Sequence, residues 1–194
     1  GRGSGRLSVS SIDEPRLKFS EIKEYLKSRY NLLLIGGGVM YSACQVVSAF
    51  WVVRYTTVAY GDASAGALAL SVSWLMSTIS RFFAPMINIR PLKMFAFGVS
   101  TMGVFQVTGV LLNNPAALVA AYGAIGLFSG QCMPMIMNEI TLKYPGRTSL
   151  PTSVNLFMMY GARIIMPLIA GVLATVSSIT VSMLLPLITG ILGG

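Results

Sequence analysis

The chain has 194 residues, of which 54% are hydrophobic and 10% charged, with 14 Lys or Arg, 6 Asp or Glu and a formal net charge of +8. A soluble domain carries about 25% charged residues, so this composition excludes an ordinary water-exposed surface. The sequence has no His, the commonest general base and zinc ligand, and no basic patch with interleaved aromatic residues, so we expect no enzyme, no cofactor and no nucleic-acid partner.

The first 30 residues form a polar leader that carries more than half of the charged side chains. The stretch GRGSGRLSVSS is typical of a flexible polar segment. Residues 15–30, PRLKFSEIKEYLKSRY, place apolar and aromatic side chains at roughly helical spacing among Lys and Arg. This pattern predicts a short amphipathic helix, either along a membrane surface or as a solvated linker helix.

Six apolar segments follow the leader, and each is close to the ~20 residues that a membrane-spanning helix needs. Short polar breaks such as AYGDAS, NIRP and LKYPGRTS separate them. The chain therefore divides into a linker, 1–30, and an all-α membrane domain, 31–194. The six predicted spans cover residues 31–56, 64–87, 92–112, 115–138, 150–173 and 175–192.

The polar breaks lie at alternate ends of the predicted spans, and nearly all of the cations lie at one of these two ends. The leader's end holds seven Lys or Arg within the leader itself, and the far end holds Arg54 alone. The other cations at the leader's end are Arg81, Arg90, Lys93, Lys143 and Arg147. Cytoplasmic loops collect Lys and Arg, so this pattern predicts a multi-pass protein of a plasma or bacterial inner membrane with both termini cytoplasmic.

Small residues recur within the predicted fourth span. In GAIGLFSG, residues 123–130, they are spaced three and four apart. Such spacing lets two membrane helices approach closely, so it predicts a tightly packed helix face.

The fifth span, which includes MMYGARIIMPLIAGVL at 158–173, holds Arg163 near its centre. A charge at mid-membrane costs at least a few kcal/mol, and Arg keeps its proton there, so the guanidinium needs a partner, water or an anionic ligand. Three interpretations remain open. Arg163 pairs with a carboxylate of a complementary half, binds an anionic substrate, or reaches the interface or a backbone carbonyl.

Three motifs resemble parts of major facilitator superfamily transporters. SRFFAPMINIRPLKMFAFG, residues 80–98, resembles the conserved turn after the second helix of a half, although Ile89 stands at the family's Asp position. GLFSGQCMPMIMNEI, residues 126–140, resembles the Gly-rich fourth helix with a mid-helix Pro. YGARIIMPLIAGVL, residues 160–173, resembles the fifth helix. The chain as a whole resembles the C-terminal six-helix half of such a transporter.

The resemblance implies a bundle of two inverted three-helix repeats that works by alternating access on a small-molecule substrate in the lipid bilayer. It also implies a complementary six-helix half, on the same or a separate chain. The start without Met favours a fragment or one piece of a split transporter over a half-sized protein. RFFAP and the basic residue after YGA resemble carboxylate-transporting members, so an organic anion is one candidate substrate. The alternatives are a sugar or drug carrier of the same superfamily, and a non-transporting membrane module or channel.

The resemblance also indicates which helices line the transport cavity and therefore which polar residues bind substrate. These candidates are Arg163, Tyr160, Asn155, Gln131, Gln45, Tyr41 and Trp74. The expected gating residues are Arg81, Arg90, Lys93 and Glu139.

Overall fold

A computed structural model describes residues 19–83, Met86 and 89–193 of the chain. Within these residues the secondary structure is α-helical, apart from short turns, and includes no strand. The helices are α1 (Phe19–Lys27), α2 (Arg29–Tyr60), α3 (Ala63–Phe83), α4 (Pro91–Leu111), α5 (Pro115–Ser129), α6 (Cys132–Lys143), α7 (Ser149–Val176) and α8 (Ile179–Gly193). The predicted flexible start of the leader and parts of the second predicted span lie outside the described residues.

Five of the helical segments are long and apolar enough to cross a bilayer. They are α2, α3, α4, the α5–α6 segment Pro115–Lys143, and α7, while α8 is a shorter apolar helix. By length and composition the chain is therefore a multi-pass membrane protein, and the prediction of an all-α membrane protein is confirmed.

Local sequence signals set several helix ends. Helix α2 ends where Gly61 adopts a left-handed φ of 69°, a conformation that costs glycine little. Pro91 and Pro115 occupy the first turns of α4 and α5, where a missing N–H leaves no bond unmade. Asn114 caps α5, because its side chain accepts hydrogen bonds from the amides of Ala116 and Ala117.

The fourth predicted span is divided into α5 and α6 at Gly130 and Gln131. Pro134 lies four residues after Gly130 and has no N–H to donate to the Gly130 carbonyl. Arg81 of α3 supplies the missing donor, with its Nε 3.0 Å from that carbonyl oxygen. A carbonyl left unpaired in a bilayer would be costly, so the Arg81 side chain stabilises the break.

Helices α3 and α5 pack with their backbones in contact along the predicted glycine face. A Cβ on Gly126 would overlap the carbonyl of Ser73, and one on Gly130 would lie 2.5 Å from the carbonyl oxygen of Ser77. The prediction that GAIGLFSG forms a tightly packed face is confirmed. This contact holds the serines of α3 against α5.

The amphipathic helix α1 packs on the bundle instead of standing free in solvent. It contacts α2 and α7, and its Tyr25 is buried. The Asn31 side chain of α2 donates from Nδ2 to the Tyr25 carbonyl oxygen at 2.8 Å. Helix α1 is thereby attached at the same end of the bundle as the α6–α7 turn.

Candidate functional site

Arg163 lies midway along α7 and bonds to α2. Its Nε donates to Ser42 Oγ at 3.2 Å, and its Nη2 donates to Gln45 Oε1 at 2.8 Å. The guanidinium carbon also lies 5.4 Å from the centroid of the Tyr160 ring, within cation–π range. Because both hydrogen-bond partners are uncharged, they orient the guanidinium without neutralising it. The site therefore carries a positive charge fixed in direction.

Gln45 connects Arg163 to a small, partly open cavity lined by residues of α2, α3, α4 and α5. The cavity has a volume of ≈ 20 Å³, which is room for about one water-sized group. Its polar lining residues are Gln45, Ser48, Ser73, Ser77, Tyr122 and Ser129. Trp74, which is half exposed, lies at its edge. Polar groups at this density are costly inside a membrane protein unless they are satisfied by one another, by water or by a ligand.

Three of these six polar residues have hydrogen-bond partners, and the first is Gln45, which accepts from Arg163. The Ser48 hydroxyl donates to the Cys44 carbonyl oxygen at 2.8 Å, and the Tyr122 hydroxyl donates to the Ser48 carbonyl oxygen at 3.0 Å. The Ser77 hydroxyl is different: it is buried and has no hydrogen-bond partner among the described residues.

Gln45 joins four of the seven predicted substrate-binding residues into one site. Gln45 and Arg163 bond directly, Tyr160 stacks on the guanidinium, and Trp74 lines the same cavity as Gln45. We call this set the Arg163 site. It lies on α2, which packs against both α3 and α7.

The other three predicted residues make their contacts elsewhere. Tyr41 is buried and packs edge-on against Phe95, with ring centroids 6.2 Å apart. Gln131 accepts a hydrogen bond from the Ser80 hydroxyl at 3.4 Å, beside the α5–α6 break. Asn155, although it is two helical turns from Arg163, donates from Nδ2 to the Tyr25 hydroxyl at 2.9 Å.

The Tyr25 contact with Asn155 belongs to a polar cluster at the α1 end of the bundle. Burial raises the pKa of the Tyr25 hydroxyl, and the hydrogen bond from Asn155 opposes that shift. Tyr25 therefore remains neutral at physiological pH. Its ring lies 5.7 Å from that of Tyr144, whose hydroxyl donates to Asn31 Oδ1 at 2.7 Å.

Two of the expected gating residues have defined partners. Glu139 accepts a hydrogen bond from the Tyr30 hydroxyl, so it links α6 to α2. Arg81 bonds to the Gly130 carbonyl, as described above, so it links α3 to the α5–α6 break. Arg90 and Lys93 lie exposed at the start of α4.

The sequence reasoning missed the serines of the site. Ser42, Gln45 and Ser48 recur every third residue on α2, and Ser73 and Ser77 are one turn apart on α3. These spacings place each group along one helix side, which is a usable signal. Serine is, however, common in membrane helices as a packing residue, so the signal alone did not separate these serines from others.

The chain matches no protein-family model, and no curated protein matches its sequence.

Proposed function

We propose that this chain is one half of a secondary active transporter that moves a small organic anion across a membrane by alternating access. The observation that carries the proposal is the un-neutralised guanidinium of Arg163 in the middle of a membrane helix. An intramembrane charge is retained where it has a function, because it is expensive to insert.

The contacts of Arg163 favour binding of an anion. Two of the five N–H donors of the guanidinium are used by Ser42 and Gln45, so the planar group retains donors for a carboxylate. A carboxylate would form the charge-assisted hydrogen bonds that such a fork favours. Tyr160 is 55% exposed beside the guanidinium, so the site is open on this side.

The packing of the helices supports an inverted repeat of two units, one formed by α2–α4 and the other by α5–α8. In such a repeat α2 corresponds to the α5–α6 segment, α3 to α7 and α4 to α8. The contact of α2 with α7 therefore corresponds to the contact of α5 with α3, and both pairs pack closely. The same exchange converts the contact of α4 with α5 into that of α8 with α2, and these pairs are also both present. Helices α4 and α8 pack against each other, as equivalent helices beside a two-fold axis would. Transporters with this symmetry bind substrate near the midplane.

Uptake by the complete transporter in proteoliposomes tests the proposal. We expect Arg163→Ala to lower the uptake of a small carboxylate such as butyrate by at least about tenfold, because charged hydrogen bonds are lost. Arg163→Lys keeps the charge but loses the planar fork, so it should retain part of the uptake. The control is Arg54→Ala, which removes an exposed cation from the C-terminal part of α2, beyond Gln45.

Two results would contradict the anion site. One is butyrate uptake that does not change in Arg163→Ala. The other is an Arg163→Ala variant that no longer inserts or assembles with its complementary half, which would favour the alternative in which Arg163 pairs with a carboxylate of that half.

A further inference from the structure

We infer that the groove between α2, α4 and α8 is a binding site for an anionic phospholipid. One acyl chain of the lipid lies in the groove, and the headgroup phosphate meets Arg29 of α2 and Lys93 of α4. The inference does not rest on the proposed transport activity, because it requires only that the chain lies in a membrane.

The groove is large and apolar. Its volume is ≈ 390 Å³, far more than a single water fills. Gly36, Gly37 and Ala96 line it with little or no side chain. A Cβ on Gly37 would lie 2.9 Å from the Phe95 ring, whereas a Cβ on Gly36 meets no atom within 4 Å. Helices α2 and α4 therefore touch at Gly37 and leave open space beside Gly36. The other lining residues that are aliphatic are Leu32, Leu33, Leu34, Met40 and Leu92.

The lining favours a hydrocarbon chain as the occupant. An empty groove forfeits dispersion contacts along its walls, so a group that fills it is stabilised. A peptide segment would bring backbone N–H and C=O groups into apolar surroundings where they have no partners, but an acyl chain brings none. Leu33 is 76% exposed, so the groove is open at its side to a lipid in the bilayer.

Two exposed cations lie at one end of the groove. On α2, Arg29 lies four residues before Leu33 and seven before Gly36, so it shares their side of the helix. On α4, Lys93 lies three residues before Ala96, and the two are neighbours on the helix surface. This is the end of the bundle that carries the leader and is predicted to be cytoplasmic, where membranes hold anionic lipids that attract Lys and Arg.

Tyr30 forms the wall of the groove at the same end. Its hydroxyl donates to Glu139, and Lys143 Nζ lies 3.3 Å from the centroid of its ring. Lys143 therefore opposes the negative charge of Glu139, so that Arg29 and Lys93 keep this end of the groove attractive to a phosphate. The apolar groove and the cations beside it match the two parts of an anionic phospholipid.

Lipid binding by the full chain in detergent tests the headgroup contact. Native mass spectrometry gives the dissociation constants of the first bound dioleoyl phosphatidylglycerol and the first bound dioleoyl phosphatidylcholine, which has the same acyl chains but no net charge. We expect the wild type to bind phosphatidylglycerol roughly tenfold more tightly. Arg29→Gln combined with Lys93→Gln should bring the two constants close together. The control is Arg54→Gln, which removes an exposed cation outside the groove and should leave the preference intact.

A variant that fills the groove tests the acyl-chain contact. Gly36→Leu places a side chain in the open space, so both lipids should bind at least about threefold more weakly. Gly161→Leu is the matched control, because a Cβ on Gly161 also meets no atom within 4 Å. Equal affinity of the wild type for the two lipids, or unchanged affinity in Gly36→Leu, would overturn the inference. A dimer that dissociates in Gly36→Leu would overturn it as well, because a second copy of the chain would then occupy the groove. Arg29 and Lys93 are exposed, so the headgroup comparison decides the matter even if Gly36→Leu does not fold.

Discussion

Asp62 determines how α3 begins. Its Oδ1 accepts hydrogen bonds from the Ser64 amide at 2.8 Å and from the Ser64 hydroxyl at 2.6 Å, in the first turn of the helix. These bonds to Ser64 hold the pKa of the Asp62 carboxyl below its usual value. We predict that Asp62→Ala lowers the thermal stability of the detergent-solubilised protein at neutral pH.

The lowered pKa fixes the pH dependence of this effect. A carboxyl whose pKa is lower in the folded state stabilises that state above its unfolded pKa of about 3.9, and the stabilisation is lost as the pH falls through the folded value. The difference in melting temperature between wild type and Asp62→Ala should therefore shrink below about pH 4. The Asp62→Asn variant keeps a hydrogen-bond acceptor at this position, but the amide does not titrate. The stability of Asp62→Asn should therefore not show this pH dependence. A difference from wild type that is constant across the acid range would contradict the assignment.

Single residues differ in how far the sequence reveals their roles. Arg163 was identifiable because a charge in an apolar span is costly wherever its helix packs. Its partner Ser42 was not identifiable, because a serine on a membrane helix can occupy several environments at little cost in free energy. Asn155 lies two helical turns from Arg163, but its side chain donates to Tyr25, which comes from α1 and not from a neighbouring span.

At the scale of elements, apolar runs predict membrane helices well but do not predict interruptions within them. Pro134 alone does not divide a membrane helix, because freed backbone groups can find other partners. The break between α5 and α6 depends also on Arg81, which lies 49 residues before Gly130 and reaches its carbonyl only in the folded bundle. Such a long-range contact is not visible in local sequence.

The close contact of α3 with α5 gives a prediction about glycine. An added Cβ at Gly126 would overlap the backbone of Ser73, whereas an added Cβ at Gly161 of α7 meets no atom within 4 Å. We expect Gly126→Ala to lower the free energy of unfolding by about 1–3 kcal/mol or more, because backbone atoms must separate. The matched variant Gly161→Ala should leave it unchanged or raise it by up to about 1 kcal/mol.

Thermal unfolding of both variants in the same detergent provides the measurement for the glycine contact. Because Ser73 and Ser77 line the cavity, Gly126→Ala should also lower the butyrate uptake that we propose for the complete transporter. Equal stability of Gly126→Ala and Gly161→Ala would mean that the backbones of α3 and α5 are not in contact at Gly126.

At the scale of the whole molecule, the sequence predicted six spans, of which five correspond to helical segments long enough to cross a bilayer and the sixth to the shorter helix α8, but it did not predict which helices are neighbours. Periodicity reports on one helix at a time, whereas the pairing of α4 with α8 joins residues far apart in the chain. The attachment of α1 has the same character. Its amphipathic pattern predicted a helix. Its packing against α2 and α7, however, depends on the hydrogen bonds that Tyr25 forms with Asn31 and Asn155.

The orientation of the bundle in the membrane is the remaining prediction, and the two ends of α7 test it. Ser149 and Ser177 are exposed at its opposite ends, and its 28 residues span about 42 Å, more than the ~30 Å hydrocarbon core. Lys143 and Arg147 lie near Ser149, so that end should be cytoplasmic. In a background in which Cys44 and Cys132, both buried, are replaced by Ala, Ser177→Cys should react with a membrane-impermeant maleimide in intact cells. Ser149→Cys should react only after permeabilisation. The reverse pattern would invert the orientation, and labelling of both in intact cells would mean that α7 does not cross the membrane.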